Sequence, residues 1–344
     1  MLFVLVIEKL RSSLKKNISV WIIIDEKVGN ANQAIAIAKA MGGDFETKKL
    51  NYNFLAFLPN RLKFDSLIGI DLAGSSKIES PYPDLVISSG RKTSAVSRYI
   101  KKNNPKTFTM HLMSPDLPFD YFDLVCLPFH DKALNQSKYS NILYTIGAPS
   151  YLDKNKMKLE GNILKEKLSN LKGPFISVII GGKTKDGDYT SKELEWLIGK
   201  ASDLAISING SLLITTSRRT SISLSIKQYI KAPYFFYDWH QEKAQNNPYI
   251  GFLSLSDYFI VTGDSISSCS EALSTGKPVY IYRKDEILYK KHLKFLDYLN
   301  DLGYTRFLAK DTIVENWSYS PLEEADRICK IIKEKIDVSN NFSS

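Results

Sequence analysis

The segment 261–282, VTGDSISSCSEALSTGKPVYIY, places hydroxyl, carboxyl and glycine residues directly after an apolar run. The run ends at Thr262-Gly263-Asp264, and the small hydroxyl residues that follow predict a helix that ends at Gly276. The first turn of such a helix presents unpaired backbone N–H groups and a partial positive charge, which favour a phosphate group. Glu271 follows one to two turns later, where its carboxylate is placed to face a ribose. The pattern predicts a nucleoside-diphosphate site.

Similar polar residues follow the other apolar runs. In parallel α/β sheets a ligand binds beyond the carboxyl ends of the strands, so the residues that end each run are the candidates. In the second half of the chain these candidates are Gly181, Gly182, Ser217, Arg218, Arg219, Thr220, Gly263, Asp264, Ser265, Ser267 and Glu271. In the first half they are Asp25, Gly29, Asn30, Gln33, Ser89, Gly90, Arg91, His111, His130 and Asp131.

Each of the groups in the second half also has a structural interpretation. Gly181-Gly182 is equally a tight turn, since the full phosphate-loop pattern GxxxxGK[ST] is absent. The run 217–220 offers two adjacent guanidinium groups that suit diphosphate oxygens, but it is alternatively a solvated helix start. Asp264-Ser265 is a common helix cap, a role that is compatible with ligand binding. Glu271, taken alone, is equally expected as a surface residue of a helix.

The acid–base candidates are His130 and Asp25. His130 stands beside Asp131, whereas a lone histidine such as His111 near a strand end is more often structural. Asp25 is also placed to accept a proton or to bind a hydroxyl. The chain contains no HExxH, CxxC or clustered carboxylate pattern, so neither a metal nor any other tightly bound cofactor is expected.

The alternation of short apolar runs with helix-like stretches predicts the scaffold that positions these residues. It is typical of α/β proteins with parallel sheets. Two successive series of this kind predict an N-terminal Rossmann-like domain over 1–165 and a C-terminal one over 170–320. A helix over 321–336 and a flexible tail over 337–344 are predicted to follow. The strand ends of the two domains would face each other across a cleft.

Composition indicates a soluble globular protein of 344 residues, with 44% hydrophobic and 24% charged residues. No apolar run approaches the roughly 20 residues that span a bilayer. The three cysteines are widely spaced, which indicates reduced thiols in the cytoplasm. The formal charge of +9 is not gathered into a basic block and accompanies no zinc-finger or ribonucleoprotein motif, so nucleic-acid binding is not predicted. An anionic substrate or an anionic membrane surface accounts for the charge equally well.

The segment 51–64, NYNFLAFLPNRLKF, mixes large apolar residues with Arg61 and Lys63. One interpretation is a buried core segment. The alternative is an amphipathic patch that lies on an anionic membrane and makes the protein peripheral on the inner face of the cytoplasmic membrane.

The ordered motifs resemble the plant mitochondrial-fission (elongated-mitochondria) proteins and their bacterial relatives, which are described as glycosyltransferases or nucleotide-sugar epimerase-like proteins. The matching motifs include PDLVISSGR at 83–91, FDLV at 122–125, PFHD at 128–131, TSRRT at 216–220, NPY at 247–249 and TGDS at 262–265. They extend in order from Trp21 to Ile281, over most of the chain. The sequence departs from the family at Met113-Ser114, a loop that would bear on the acceptor.

The resemblance implies the GT-B fold, with a nucleotide-sugar donor in the C-terminal domain and an acceptor in the N-terminal one. Glu271 matches the family's ribose-binding glutamate, while Gly182, Ser217, Arg218 and Ser265 match groups that offset the diphosphate charge without a metal. Apart from the acid–base candidates, the remaining residues of the first half would then lie on the acceptor side. We expect a glycosyltransferase acting on an envelope lipid or polysaccharide at the cytoplasmic membrane face. A nucleotide-sugar 2-epimerase and a non-catalytic membrane-associated scaffold are the alternatives.

Overall fold

The structure, a computed structural model, describes residues 18–63, 65–132, 138–221, 225–242 and 247–341. Phe64 of the 51–64 segment and residues 342–344 of the predicted tail lie outside the described residues. The chain divides into two compact units. The first comprises the chain up to Leu127, Lys132–Tyr144 and the chain from Ala325 onward, and the second comprises Pro128–Asp131 and Thr145–Glu324.

The first unit contains a six-stranded sheet. Its strands are β1 (Val20–Ile24), β2 (Glu46–Lys49), β3 (Leu85–Ser89), β4 (Phe108–Leu112), β5 (Leu124–Pro128) and β6 (Ile142–Thr145). They lie in the order β2-β1-β3-β4-β5-β6, and the pairings of β1 with β2 and β3, of β3 with β4 and of β4 with β5 are parallel. The strand order reverses between β1 and β3, so the loops that follow these two strands lie side by side.

Within the described part of the chain, four helices belong with this sheet. They are α1 (Val28–Met41), α2 (Asn60–Lys63), α3 (Arg91–Asn103) and, from the end of the chain, α10 (Glu324–Asn341). Ile328, Ile332 and Ile336 of α10 are buried in the core of the first unit, beside apolar residues of β1, β3 and β4. This helix starts later than the predicted 321–336 and continues through 337–341, part of the stretch predicted as a flexible tail.

The second unit contains another six-stranded sheet, in which all five strand pairings are parallel. Its strands are β7 (Phe175–Ile179), β8 (Ser211–Thr215), β9 (Tyr234–Tyr237), β10 (Tyr258–Thr262), β11 (Val279–Tyr282) and β12 (Thr305–Phe307). They lie in the order β12-β11-β10-β7-β8-β9. The order reverses between β7 and β10, and such a switch point is where doubly wound sheets bind ligands.

The helices of the second unit are α4 (Lys154–Lys167), α5 (Ser191–Ser207), α6 (Trp239–Glu242), α7 (Tyr249–Leu255), α8 (Ile266–Leu273) and α9 (Lys290–Asp301). The described residues also form 3₁₀ turns at Phe54–Phe57, Phe119–Tyr121, Phe129–Asp131, Ser225–Tyr229 and Asp285–Ile287. Helix α4 belongs here although it falls within the predicted N-terminal domain, 1–165. The reason is packing, since Leu164 of α4 shares an apolar cluster with Phe252 of α7. Among the described helices, none is both long enough and apolar enough to cross a membrane.

Candidate functional site

The loops that follow β7, β8 and β10 are hydrogen-bonded to one another at the switch point of the second unit. The Gly181 N–H donates to Thr262 Oγ1 at 2.7 Å, and the Gly182 N–H donates to Asp264 Oδ2 at 3.1 Å. The Ser217 hydroxyl donates to the Gly181 carbonyl at 2.9 Å. We call the residues Gly181, Gly182, Ser217, Arg219, Thr220 and Asp264 the switch-point cluster. The structure thus brings together six residues that the sequence places more than 80 positions apart at the extremes.

Asp264 is at the centre of the switch-point cluster, and its side chain is fully buried. Besides the Gly182 N–H, its carboxylate accepts hydrogen bonds from Arg219 Nη2 at 2.7 Å and from the Tyr189 hydroxyl at 3.2 Å. A buried carboxylate is stable when an opposite charge and further donors satisfy it, as these three do. Tyr189 was not predicted from the sequence, because it lies ten residues after the end of β7 and belongs to no motif.

The glycines of these loops are required by close approach. None of Gly181, Gly182 and Gly263 has a positive φ. A Cβ added at Gly181 would overlap the Asp264 carboxylate, and one at Gly182 would overlap the Arg219 backbone carbonyl. A Cβ at Gly263 would lie 2.6 Å from Leu296 Cδ1. The structure therefore supports the tight-turn interpretation of Gly181-Gly182, whose N–H groups are already hydrogen-bonded within the unit.

The two adjacent arginines have different environments. Arg219 is held by Asp264, and its Nη1 also donates to the Lys183 carbonyl at 3.1 Å. Arg218 is exposed and forms no hydrogen bond or ion pair with the part of the chain that the structure describes. Of the two guanidinium groups, Arg218 is therefore the one that is available to an anion.

Helix α8 begins beside the switch-point cluster. Ser265 is its N-cap, and its hydroxyl accepts the Ser268 N–H at 3.3 Å and lies 2.8 Å from the Ser268 hydroxyl. Ser267 is exposed in the first turn. Two turns in, the Tyr249 hydroxyl donates to Glu271 Oε2 at 2.5 Å. Burial raises the pKa of Glu271, and the hydrogen bond from Tyr249 opposes that rise.

His130 packs against α9 within the second unit. Its ring meets the Phe295 ring edge-on with centroids 5.9 Å apart, and the neighbouring Phe129 stacks on Tyr298 at 4.0 Å. The Nδ1 atoms of His130 and of His292 in α9 are both buried, and neither has a hydrogen-bond partner in the described chain. Burial lowers the pKa of both histidines. Both are therefore neutral near pH 7, and each has a ring nitrogen that no other group occupies.

His292 is a second residue that sequence reasoning missed. Besides burial, the charge of Lys291 lowers the pKa of His292, that of Asp264 raises it and that of Arg219 lowers it. His292 is therefore within electrostatic range of the switch-point cluster, and His130 packs on the same helix, α9. His292 stands about 160 positions from His130 in the chain, and no local pattern links the two.

In the first unit, Asp25 is buried where β1 ends, and its Oδ1 accepts the Lys27 N–H at 2.9 Å. Burial is the main cause that raises the pKa of Asp25. The hydroxyl of Tyr52 is buried with no hydrogen-bond partner in the described chain, and both burial and the Asp25 charge raise the pKa of Tyr52. Lys92 Nζ lies 4.5 Å from the Tyr52 ring centroid and 2.7 Å from Glu26 Oε1. Asp25 therefore lies in a small polar group that includes Tyr52.

The start of α1 and the loop that follows β3 meet at Gly90. Its φ is 83°, and a Cβ there would collide with the Asn30 side chain. The Ser89 hydroxyl is buried without a partner in the described chain. Gly29, Asn30 and Gln33 all lie in α1, whose first residue is Val28.

The other acceptor-side candidates do not join this group. Arg91 is exposed, with Nη1 3.8 Å from Asp116 Oδ2, and Asp131 is exposed within the second unit. His111 is completely buried in β4, with Nδ1 2.7 Å from the Ser88 hydroxyl and its ring 5.1 Å from that of Phe122. Burial lowers the pKa of His111 to about 3. The complete burial of His111 supports the structural interpretation of a lone histidine, and its placement on the acceptor side stays a prediction.

The 51–64 segment has a buried side and an exposed side. Asn60 is fully buried and donates to the backbone carbonyls of Arg91 at 2.7 Å and Pro115 at 2.9 Å. Lys63 is also buried and donates to the Ala56 carbonyl at 2.9 Å. In contrast, Phe54 and Phe57 are each 80% exposed, and Leu62 is 56% exposed. A buried polar side thus anchors the segment, and the aromatic residues that the core interpretation would bury face solvent.

The described residues contain no group of three or more histidine, cysteine, aspartate or glutamate side chains that could hold a metal ion.

Two solved structures share the fold over nearly the whole chain. A UDP-GlcNAc 2-epimerase from Methanocaldococcus jannaschii aligns with a TM-score of 0.54 and 10% identity, covering 92% of this chain and 99% of that one. The glycosyltransferase SnogD from Streptomyces nogalater aligns with a TM-score of 0.50 and 12% identity, covering 93% and 95%. These likenesses show that the fold is α/β with two Rossmann-like units, of the GT-B type.

Sequence relatives are closer. An uncharacterized protein of Rickettsia prowazekii is 32% identical over 94% of this chain and 100% of its own length. The mitochondrial fission protein ELM1 of Arabidopsis thaliana is 27% identical over 75% of this chain and 65% of its own length. Residues 28–336 match the family described as Mitochondrial fission ELM1. This match covers most of the chain and agrees with the ordered motifs of the sequence, so the chain belongs to the mitochondrial fission ELM1 family.

Proposed function

We propose that the protein is a metal-independent glycosyltransferase that takes its sugar from a nucleoside-diphosphate donor. The observation that carries this proposal is the switch point of the second unit. There, Asp264 and its three donors fix the loops, while Arg218, the sequence neighbour of the Arg219 that holds Asp264, is left exposed. A fixed scaffold that presents a free guanidinium group and a helix N-terminus is suited to a diphosphate.

The roles of individual residues follow from their contacts. Arg218, with Ser265 and Ser267 at the start of α8, would offset the charge of the leaving diphosphate. Glu271 would accept hydrogen bonds from the ribose. Gly182 and Ser217, which the resemblance assigned to the diphosphate, act indirectly, because their hydrogen-bonding groups hold the loops together.

The reaction needs a base for the acceptor hydroxyl. As the base takes the hydroxyl proton, the oxygen bonds to the anomeric carbon, and the bond from that carbon to the diphosphate breaks. His130 is neutral and has an unoccupied ring nitrogen, and burial raises the pKa of Asp25 above the usual range of a carboxyl group. The raised pKa of Asp25 favours proton acceptance. The lowered pKa of His130 keeps its imidazole neutral with a vacant nitrogen, but it also makes that imidazole a weaker base. We propose His130 or Asp25 as the base.

The proposed acceptor is an envelope lipid or polysaccharide at the cytoplasmic face of the membrane. Phe54, Phe57 and Leu62 project from the first unit, and Arg61 stands among them in the sequence. Exposed aromatic residues with a basic neighbour are typical of a surface that contacts anionic lipid. We expect the protein to sediment with vesicles that contain anionic phospholipid. The double variant Phe54→Ser/Phe57→Ser should remain in the supernatant at an unchanged melting temperature.

Two other functions use the same fold. A 2-epimerase, favoured by the likeness to the UDP-GlcNAc 2-epimerase, would convert a nucleotide sugar without any acceptor. A non-catalytic scaffold at a membrane, favoured by the family's association with mitochondrial fission, would use no nucleotide at all.

One experiment separates these functions. The purified protein is incubated with labelled UDP-, GDP-, ADP- and CDP-sugars, with and without a bacterial envelope lipid and glycan extract. Label that enters the lipid or glycan fraction, and is lost in Arg218→Ala, supports transfer. A new nucleotide sugar formed without the extract identifies the epimerase. No turnover and no binding of any nucleotide sugar leaves the scaffold and overturns the proposal.

A further inference from the structure

The NPY motif at 247–249 connects to the candidate donor site through one side chain. The Asn247 side chain accepts the Tyr249 N–H at 3.0 Å, which fixes the first turn of α7 after Pro248. From that turn the Tyr249 hydroxyl reaches α8 and donates to Glu271 Oε2 at 2.5 Å. This is a short, charge-assisted hydrogen bond, stronger than one between neutral groups.

The same hydroxyl ends a chain of polar groups that starts at the cap of α8. The Ser265 and Ser268 hydroxyls lie 2.8 Å apart. Ser268 in turn acts on Tyr249, because it lowers the pKa of that hydroxyl against the larger effect of burial. Ser265, Ser268, Tyr249 and Glu271 thus line a path from the proposed diphosphate end of the site to the proposed ribose end, in which Ser265–Ser268 and Tyr249–Glu271 are the direct hydrogen bonds.

Tyr249 has two effects on the Glu271 carboxylate. The bond fixes the carboxylate's orientation through Oε2, which leaves Oε1 and the remaining lone pairs to accept hydroxyl donors. It also favours the ionised form, which accepts hydrogen bonds only, against the neutral form that burial favours. Without the hydroxyl, Glu271 would be less well oriented and more readily protonated, and both changes weaken its hold on a ribose.

We propose that Tyr249 is a positioning residue that holds the Glu271 carboxylate toward the ribose hydroxyls, so that the pair selects ribonucleoside diphosphates over 2′-deoxyribonucleoside diphosphates. This inference rests on the proposed function, because it assumes that a nucleotide binds beside α8. It adds to that function the class of sugar in the donor nucleotide and a residue that sets it.

The test compares UDP with 2′-deoxy-UDP by titration calorimetry, using the full chain. We expect the wild-type protein to bind UDP about tenfold more tightly, a difference of about 1.4 kcal/mol, because the 2′-hydroxyl adds a hydrogen bond to a charged group. In Tyr249→Phe, which keeps the ring and removes only the hydroxyl, the ratio should fall to about twofold or less. Affinity for 2′-deoxy-UDP should change little. A structural role for the hydroxyl would weaken both ligands equally.

Two further variants make the test specific. Tyr280→Phe removes another tyrosine hydroxyl of the same unit, which donates to the Ile313 carbonyl at 2.9 Å, and it should leave the ratio at the wild-type value. In the Glu271→Gln background, Tyr249→Phe should have no further effect on the ratio, because Tyr249 acts through the carboxylate. If Tyr249→Phe does not fold, Ser268→Ala interrupts the same path and should reduce the ratio about twofold.

The outcomes are distinct. A wild-type ratio retained in Tyr249→Phe, or in Ser268→Ala should it be the variant used, overturns the inference and leaves nucleotide binding intact. A wild-type protein that binds UDP, GDP, ADP and CDP no better than buffer overturns both the inference and the proposed function.

Discussion

The two units carry similar numbers of polar residues at their strand ends but use them differently. In the second unit, one buried carboxylate, Asp264, receives three hydrogen bonds, two from the segment that follows β7 and one from the segment that follows β8, and so holds these segments to the loop that follows β10. In the first unit, the one hydrogen bond that Asp25 accepts from the described residues comes from the N–H of Lys27, two residues away. Ser89 and Tyr52 leave buried hydroxyls without partners in the described chain.

The difference indicates a division of labour. A cluster whose loops are hydrogen-bonded to one another holds a fixed geometry. Such a geometry suits the part of a substrate that is the same in every reaction cycle, such as a nucleoside diphosphate. Buried hydroxyls without partners can accept or donate new hydrogen bonds when a ligand arrives, at little cost to existing ones. Under the proposed function, the polar groups of the first unit would therefore gain hydrogen bonds when a ligand binds, whereas those of the switch-point cluster already have theirs.

The largest expected effect comes from the two aspartates at the strand ends. Asp264→Asn leaves Arg219 without its counter-charge, and breaking such a pair typically costs about 3–5 kcal/mol. Because Arg219 is partly exposed, we expect the lower end of that range. Asp25→Asn removes a charge that burial disfavours, so its unfolding free energy at pH 7 should stay within about 1 kcal/mol of wild type or rise. Urea denaturation of both variants measures this contrast. Equal losses of unfolding free energy in the two variants would contradict it.

Glycine replacements test how tightly each unit is built. In Gly182→Ala the new methyl group would overlap the Arg219 carbonyl, and we expect a loss of about 1–3 kcal/mol, as for other overpacked sites. Gly29 in α1 and Gly199 in α5 have nothing within 4 Å of an added Cβ, so alanine there should stabilise by about 0.4–1 kcal/mol. Thermal unfolding separates the two classes. A neutral Gly182→Ala would mean that the loops after β7 and β8 are not held as described.

A smaller effect should come from His111, which is expected to change the unfolding free energy by about 1.4 kcal/mol per pH unit. Its pKa is about 3 in the folded protein and about 6.5 when unfolded, so the unfolded chain binds the extra proton below pH 6.5. Stability from this group is therefore complete above pH 6.5 and declines as the pH falls toward 3.

The measurement that tests this prediction is the slope of the unfolding free energy against pH between 6.5 and 5. We expect His111→Gln to reduce that slope by about one proton, even if it lowers stability overall. His130 and His292 have lowered pKa values as well and should supply what remains of the slope. An unchanged slope in His111→Gln would show that His111 is accessible to protons, as an acceptor-side residue would be.

Much of the fold could be predicted from the sequence, because apolar runs separated by helix-like stretches leave few alternatives to parallel α/β units. The strand ends were located correctly enough to name all six residues of the switch-point cluster. The complete burial of His111 could not be predicted, because a strand of a parallel sheet is buried on both faces and its apolar pattern does not show which polar residue lies inside. The late boundary at 165 missed that α4 packs on α7, a contact that only the folded chain reveals.

Residues that act through long-range contacts could not be predicted. Tyr189, Tyr249 and His292 come from a segment before α5, the start of α7 and the start of α9, and their common feature is position in space. From the sequence, Arg218 and Arg219 were likewise both predicted to bind diphosphate oxygens. Only the contacts of Asp264 distinguish the arginine that holds the loops from the one that remains exposed.

The central proposal, that the second unit binds a nucleoside diphosphate at its switch point, is tested most directly by a crystal structure of the protein with UDP. The proposal predicts diphosphate oxygens within hydrogen-bond distance, about 3 Å, of Arg218 and the first turn of α8. It predicts a ribose hydroxyl at a similar distance from Glu271, with the Asp264–Arg219 pair intact. A nucleotide bound away from β7 and β10, or Arg219 released from Asp264 to hold the diphosphate in place of Arg218, would contradict it.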